Sequence, residues 1–577
     1  MTQPATLPAV PDDPRVAALL EGLNPQQRQA VTHAGGPLLI VAGAGSGKTR
    51  VLTHRIAYLL AARQVTPGEV LAITFTNKAA GEMKERVARL VGPRARAMWV
   101  STFHSACVRI LREQHQQLGF RRAFSIYDQA DSQRLVTLVA RELDLDSKRF
   151  APKRLANQIS DLKNELIDHE TAADRAGTEM EQTIASVYRT YQARLQQAQA
   201  MDFDDLIMTT VHLLQAFPDI AEHYRRRFRQ VLVDEYQDTN HAQYMLVREL
   251  VGTAADASPV PPAELAVVGD ADQSIYAFRG ATIRNITEFE RDYPDATVVL
   301  LEQNYRSTQT ILNAANAVIA RNPGRTPKNL WSQAGPGERI VGYVADSEHD
   351  EAAFVGAEID TLTDEYAIAP AQVAVFYRTN AQSRVFEDVF IRIGLPYRVV
   401  GGVRFYERRE VRDLLAYLRV LANPADTVSL RRILNTPRRG IGDTTEQSVA
   451  RFAGRERIGF AAALARADEI GDLATRSLTA IRGFVTTMDD LRELADSGAP
   501  AAEVAEAVLT RTGYLDSLAT EGEIEAEGRR ENLAELVAVA REYEAGTPGG
   551  GLAGFLEQVS LVADTDELPD PDTGGVV

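Results

Sequence analysis

The stretch Pro37-Leu-Leu-Ile-Val-Ala-Gly-Ala-Gly-Ser-Gly-Lys-Thr49 decides how the chain is read. Leu38 to Val41 is an apolar run of the kind that forms a fully buried strand. It breaks into a glycine-rich segment, then into Lys48, Thr49 and an amphipathic helix expected to reach about Ala62. Strand, glycine loop and helix together make a P-loop. Residues without side chains let backbone N–H groups curl round a phosphate, and the helix N-terminus adds the positive end of its dipole. The expected cradle is Ala42, Gly43, Ala44, Gly45, Ser46, Gly47, Lys48 and Thr49, with Arg50 behind it. Lys48 is placed to reach the β- and γ-phosphates, and the Thr49 hydroxyl to ligate Mg²⁺. Ala42 stands where G-x-x-x-x-G-K-[ST] has its first glycine. The stretch predicts binding of a nucleoside triphosphate.

A chain of 577 residues predicts several domains, and its 45% apolar and 25% charged content is ordinary for globular proteins. No run approaches eighteen apolar residues, so no membrane span is expected. Met1 to Arg15, rich in Pro and Asp, reads as a disordered tail. Cys107 is the only cysteine, which excludes an intramolecular disulfide and points to the reducing cytoplasm. Net charge is −16, from 63 basic and 79 acidic residues. That balance argues weakly against a polyanion binder, yet one basic groove on an acidic surface would satisfy it, so local clusters decide.

Leu23-Asn-Pro-Gln-Gln27 opens a short helix, and Gln27 suits an adenine edge, accepting from one nitrogen and donating to another. Val70–Phe75 and Ala97–Thr102 follow as strands, each ending in a polar-aromatic cluster that contains Phe75 and Asn77, or Thr102, Phe103 and His104. In open α/β sheets ligands gather outside the carboxyl ends of strands. Rings for bases with donors for phosphates suit single-stranded nucleic acid, although core packing explains either phenylalanine equally. Residues 111–199 read as a helical insertion without strands. In Met201-Asp-Phe-Asp-Asp-Leu206, Phe203 is either another stacking ring or part of a helix start. Val231-Leu-Val-Asp-Glu235 ends a buried strand in two acids: Asp234 suits Mg²⁺, and Glu235 suits activation of the attacking water. Leu265 to Gly280 runs through Gln273, suited to the γ-phosphate, into Tyr276, Phe278 and Arg279.

The ordered set LNPQQ, AGAGSGKT, TFTNKAA, STFHS, DFDDL, VDEYQDTN and GDADQSIYAFRGA resembles the UvrD/PcrA/Rep family of superfamily 1 DNA helicases over essentially the whole chain. The resemblance implies an α/β fold of two RecA-like P-loop motor domains, each with an inserted, mainly helical subdomain. It implies Mg²⁺-ATP hydrolysis and 3′→5′ movement on single-stranded DNA, in repair and replication maintenance. By that resemblance Gln27 contacts adenine, Gln273 senses the γ-phosphate, and Phe75, Tyr276 and Phe278 touch bases. In Thr297–Ser307, Tyr305 would stack on adenine and Arg306 would reach the γ-phosphate from the second motor. Strands are expected at 339–343 and 373–377, and Arg384 is expected along the DNA path.

Beyond Val400 the chain is helical with arginine-dense surfaces, read either as solvated faces or as duplex contacts. Pro437-Arg-Arg-Gly-Ile-Gly442 resembles the family's duplex-gripping element, which implies contacts from Arg439, Gly440 and Gly442. The expected division is a first motor at 16–110 and 200–295, a helical insertion at 111–199, and the first part of a second motor at 296–395. A helical duplex-contacting insertion at 396–560 and a linker at 561–577 follow. The family's T-x-H-x-x-K-G-L-E motif and a later motif with a second arginine do not occur here. The expectation is therefore a helicase with an incomplete second motor, binding ATP and DNA but unwinding weakly. Expected partners are single-stranded DNA, single/double-strand junctions and repair or transcription proteins, for a monomer or weak dimer away from membranes. The alternative reading is a non-catalytic, nucleotide-gated DNA-binding module.

Overall fold

The computed structural model describes residues 13–253, 258–277, 280–282, 284–287, 289–322, 327–400, 405–518, 523–547, 549–562 and 575–576. Its strands are β1 (Leu38–Ala42), β2 (Val70–Thr74), β3 (Trp99–Thr102), β4 (Ser125–Tyr127), β5 (Ala200–Asp202), β6 (Gln230–Val233), β7 (Glu264–Gly269), β8 (Thr297–Leu301), β9 (Gln303–Asn304) and β10 (Trp331–Ser332). Six of them form one sheet in the order β3-β2-β6-β7-β1-β8, and every pair in it is parallel. Apolar side chains on both faces explain why these strands read as continuous runs rather than alternations. Leu38, Ile40 and Ala42 pack on one face with helices Pro25–Thr32 and Lys48–Ala62. Leu39, Leu71, Ile73, Val231 and Val233 pack on the other, with helices Phe103–Glu113, Phe203–Ala216 and His241–Val251.

Three boundaries differ from expectation. β8 pairs with β1 from Leu38↔Thr297 to Ala42↔Leu301, so the first sheet extends past residue 295. The helical insertion is not free of strands, because β4 pairs in parallel with β5 at its base. Pro14 and Arg15 already lie in a helix, Pro14–Leu20, capped by Asp13, so they are not part of a tail. The remainder of that expected tail, residues 1–12, lies outside the described residues, as do most of 561–577.

The expected strands at 339–343 and 373–377 join no ladder among the described residues. A buried parallel strand needs hydrogen-bonded neighbours, and no described segment supplies them here. Much of the apolar surface of these two segments is consequently exposed, Val341 to 72% and Phe376 to 94%, while Val373 and Val375 are partly buried. A small core of Ala352, Ile359, Val389, Phe390 and Leu395 joins helices Glu348–Tyr366 and Ser383–Ile393.

The described residues between 405 and 560 are mainly helical and pack around Arg409–Ala422, which is buried on nearly all sides. This unit is fastened to the first insertion through polar groups. Tyr127 donates to Asp426 Oδ1 at 2.7 Å, Arg419 pairs with Asp131 at 2.7 Å, and Asn423 Nδ2 donates to Ser125 Oγ at 2.9 Å. Burial alone would raise the Asp131 carboxyl, but Arg419 and Arg412 outweigh it and hold it below its ordinary range.

Candidate nucleotide-binding site

β1, β6 and β7 are neighbours, and the segments leaving their carboxyl ends meet around Lys48. Ala42 is the last residue of β1, fully buried and paired with Leu301, so its methyl group belongs to the core. Glycine is unnecessary there. It is required further on: Gly45 and Gly47 have φ of +66° and +87°, and a Cβ on Gly43 would strike the Leu330 side chain. Ser46 Oγ closes the loop on Gly43 O at 2.7 Å, and Lys48 opens the helix. Thr49 is half-buried in its first turn, and Arg50 is exposed.

Lys48 Nζ donates to Glu235 Oε2 at 2.9 Å and to Gln273 Oε1 at 3.4 Å. Gln237 Nε2 also donates to Glu235 Oε2, at 2.9 Å, while its Oε1 accepts the Asp270 N–H at 2.9 Å. Gln273 Nε2 donates to Asp270 Oδ2. These contacts close a ring: Lys48, Glu235, Gln237, Asp270, Gln273 and back to Lys48. Glu235 sits at φ +49°, a strained setting for a residue with a side chain, and such strain concentrates at functional sites. Beside it, burial and the Glu235 charge push the Asp234 carboxyl up to about 7, against the pull of Lys48. Among the described residues no group of three His, Cys, Asp or Glu side chains could hold a metal unaided. The donor set still fits a magnesium nucleotide, since magnesium takes one or two carboxylates together with substrate phosphates. Asp234 offers a buried carboxylate, Thr49 a hydroxyl, and the glycine loop a cradle that Cβ atoms would fill.

Gln27 is buried, and both ends of its amide are engaged. Its Oε1 accepts the Asn24 N–H at 3.2 Å, and its Nε2 donates to Ser46 O at 3.0 Å. In this arrangement Gln27 braces the phosphate loop and presents no free edge to a base. Tyr305 is half-exposed beside the same helix, its hydroxyl accepting from Asn24 Nδ2 at 3.0 Å. Arg306 is exposed, its Cβ 2.7 Å from where a Cβ on Gly45 would stand.

Sequence reasoning missed Asn304, Gln237 and Lys328. Asn304 Nδ2 donates to Ala44 O at 2.6 Å, and its Oδ1 accepts the N–H groups of Arg306 and Ser307 at 2.8 and 2.7 Å. Adjacency to Tyr305 and Arg306 was the available signal.

The proposed DNA contacts divide. Phe75 and Tyr276 are half-buried and touch, with ring centres 4.8 Å apart, which joins the ends of β2 and of the β7 loop in one aromatic ledge. His104 meets Phe203 edge-on at 5.3 Å. Phe103 is core, not ledge. Thr102 is buried and caps the helix that follows it, so its hydroxyl is committed locally. Asn77 Nδ2 is committed as well, donating to Leu561 O at 2.6 Å. Phe278 and Arg279 lie outside the described residues. Arg384 is exposed in the first turn of helix Ser383–Ile393, away from the sheet in sequence and in no described contact with this ledge.

Arg439 turns inward. Its Nη1 donates to Ile433 O and Thr436 O, both at 3.0 Å, and its guanidinium lies over Phe484, so it serves as a cap on its own loop. Asn435 Oδ1 takes the N–H groups of Arg439 and Ile441, Ile441 is buried, and Gly440 and Gly442 are exposed. The outward cation of this loop is Arg438, which is exposed.

Residues 23–294 match the UvrD/REP helicase N-terminal domain, and residues 299–464 the UvrD-like helicase C-terminal domain. The chain belongs to the UvrD/REP helicase family. It is 61% identical to the ATP-dependent DNA helicase UvrD1 of Mycobacterium tuberculosis, over 97% of this chain and 75% of that protein. It is 46% identical to the ATP-dependent DNA helicase PcrA of Bacillus subtilis, over 96% of this chain and 74% of that protein. The family's two domain matches meet between 294 and 299, at the start of β8. Among the described residues no helix is long and apolar enough to cross a membrane.

Proposed function

We propose that this chain is an ATP-dependent DNA helicase that moves 3′→5′ along single-stranded DNA and acts at single/double-strand junctions. The observation that carries the reading is the closed ring around Lys48, because Gln273 in that ring lies three residues before Tyr276 of the aromatic ledge. A change at the γ-phosphate that draws on Lys48 and Gln273 is thereby passed to a surface that stacks bases. Two RecA-like motors, the second beginning after β8, carry the two walls of the nucleotide cleft in this reading.

Lys48 and the glycine loop bind the β- and γ-phosphates, and Thr49 and Asp234 hold magnesium, which supplies charge neutralisation on the phosphates when bound. Glu235 orients the attacking water and takes its proton. Arg306 counters charge on the transferring phosphoryl oxygens, and Tyr305 stacks on the adenine. Phe75, Tyr276 and Phe203 face the single strand. The exposed backbone of Gly440 and Gly442 meets duplex phosphates with Arg438 in place of Arg439.

The test is ATP hydrolysis by the 577-residue chain with and without single-stranded DNA, beside unwinding of a 3′-tailed duplex. DNA-stimulated hydrolysis and unwinding that both vanish in Lys48→Ala are expected. ATP and DNA binding without hydrolysis would refute the motor reading and leave a nucleotide-gated DNA-binding module.

A further inference from the structure

Lys328 lies 58 residues beyond Asp270 in the chain, yet its side chain is only 5% exposed and pairs with Asp270 Oδ1 and, at 2.8 Å, with Asp272 Oδ2. Asp270 is 2% exposed. A buried carboxylate needs a counter-charge and hydrogen bonds. Asp270 Oδ1 also accepts the Asp272 N–H at 3.0 Å, while Oδ2 accepts Gln273 Nε2. The lysine's backbone is held for this contact. Asn329 N–H donates to Glu302 Oε1 at 2.8 Å, Asn316 Nδ2 donates to Leu330 O at 3.0 Å, and β10 pairs with β9.

We propose that Lys328 is a positioning residue for ATP hydrolysis that fixes which end of the Gln273 amide faces Lys48 and the γ-phosphate. An amide has one accepting and one donating end, and an ionised carboxylate only accepts. Asp270, whose Oδ1 is held by Lys328 and the Asp272 N–H, binds the NH₂ end of Gln273 through Oδ2 and so turns Oε1 toward Lys48, 3.4 Å away. Without the ammonium, the buried Asp270 and the partly buried Asp272 repel each other. Asp270 then swings out and releases the NH₂ end of Gln273, which leaves the amide free to reverse. The NH₂ group would then confront the Lys48 ammonium. Lys328 also belongs to the segment that carries Asn304 and Arg306, so the sensor is set correctly only when that segment is seated on the phosphate loop. The inference rests on the hydrolytic reading given above.

The experiment compares the 577-residue chain with Lys328→Ala, Lys328→Arg, Gln273→Ala and the Lys328→Ala/Gln273→Ala pair in DNA-stimulated ATP hydrolysis. Lys328→Ala is expected to lower kcat at least tenfold with KM for ATP changed less than threefold. Lys328→Arg should restore at least a third of the loss. In the Gln273→Ala background, removing Lys328 should change kcat less than twofold. An unchanged kcat, a loss confined to KM, or independent losses in the pair would overturn the proposal. Should the parent chain show no Lys48-dependent hydrolysis, the functional reading fails separately, and hydrogen exchange of the nucleotide-free chain then decides about Lys328. Lys328→Ala should speed exchange at least tenfold in residues 270–276 without changing β1, and unchanged exchange there would overturn it.

Discussion

Asn304→Ala removes the bonds that hold Arg306 in register with the phosphate loop. The Asn304 side chain is 2% exposed and makes three hydrogen bonds: one to Ala44 O at 2.6 Å and two from the N–H groups of Arg306 and Ser307. A typical hydrogen bond of this kind contributes about 1 kcal/mol net. Arg306 is exposed, so water re-satisfies part of what is lost, and about 2–3 kcal/mol of tethering disappears. Arg306 still reaches the phosphoryl group, but must be ordered at that cost, so kcat should fall by about 30- to 150-fold. That is less than the roughly thousandfold or greater loss on removing an arginine finger itself. Affinity for ATP should change little, because Lys48 and the glycine loop are untouched. Asn304→Asp keeps an acceptor for both N–H groups, loses the donor to Ala44 O, and should fall between the parent and Asn304→Ala. The assay is steady-state hydrolysis at saturating single-stranded DNA, with urea unfolding run alongside to separate misfolding from misplacement. A kcat within threefold of the parent would refute the reasoning. So would an Asn304→Ala effect that persists at full size in an Arg306→Ala background, since the asparagine would then act through something else.

The remaining predictions concern burial, protons and DNA. Lys163 is fully buried, with Nζ 2.7 Å from Asp202 Oδ2 and 2.8 Å from Asp205 Oδ1, so Lys163→Met strands two carboxylates. It should cost about 3–5 kcal/mol in urea unfolding. Asp234, raised to about 7, holds its proton more tightly folded than unfolded. Its contribution to stability is complete below the unfolded carboxyl pKa and is lost as pH rises through about 7. Magnesium-dependent ATP binding competes with that proton and should tighten between pH 6 and pH 8 by up to about tenfold per unit below the pKa. Asp234→Asn should flatten that slope in a magnesium titration. Phe75→Ala should weaken binding of single-stranded DNA by about 1–3 kcal/mol, read by fluorescence anisotropy, because it removes half of the aromatic ledge. Arg438→Ala should reduce the salt slope of duplex binding by about one phosphate contact, whereas Arg439→Ala should lower thermal stability and leave that slope unchanged.

The glycine loop and the strands around it are legible because their constraints are local. β1 must be continuously apolar to lie between β7 and β8, and Gly45 and Gly47 must tolerate positive φ. The acids after β6 are legible for the same reason, since Asp234 and Glu235 follow a run whose burial the sequence states outright. Thr297–Ser307 reads as one segment, which places β8 with the second half. Nothing within it reveals that Thr297–Leu301 pairs with β1 some 260 residues earlier. The three residues of β4 carry too little periodicity to separate them from the helices that follow. Arg439 carries a similar gap in information. An arginine among arginines looks like surface, and its inward turn depends on carbonyls left free where helix Thr427–Ile433 ends.

Asn304 and Lys328 show the general form of what local reading leaves out. Each is a polar residue whose burial is tolerable only because a partner far along the chain completes it: Ala44 for the asparagine, Asp270 for the lysine. Burial of such groups without partners is costly, so the segment from 303 to 332 cannot lift from the first sheet without exposing or neutralising several of them together. The polar groups that the sequence underreports therefore bind the two walls of the nucleotide cleft into one unit. A nucleotide that reorganises Lys48 and Gln273 has one route to the second wall through Asp270 and Lys328, beside the direct contacts of the phosphate loop with Asn304 and Tyr305.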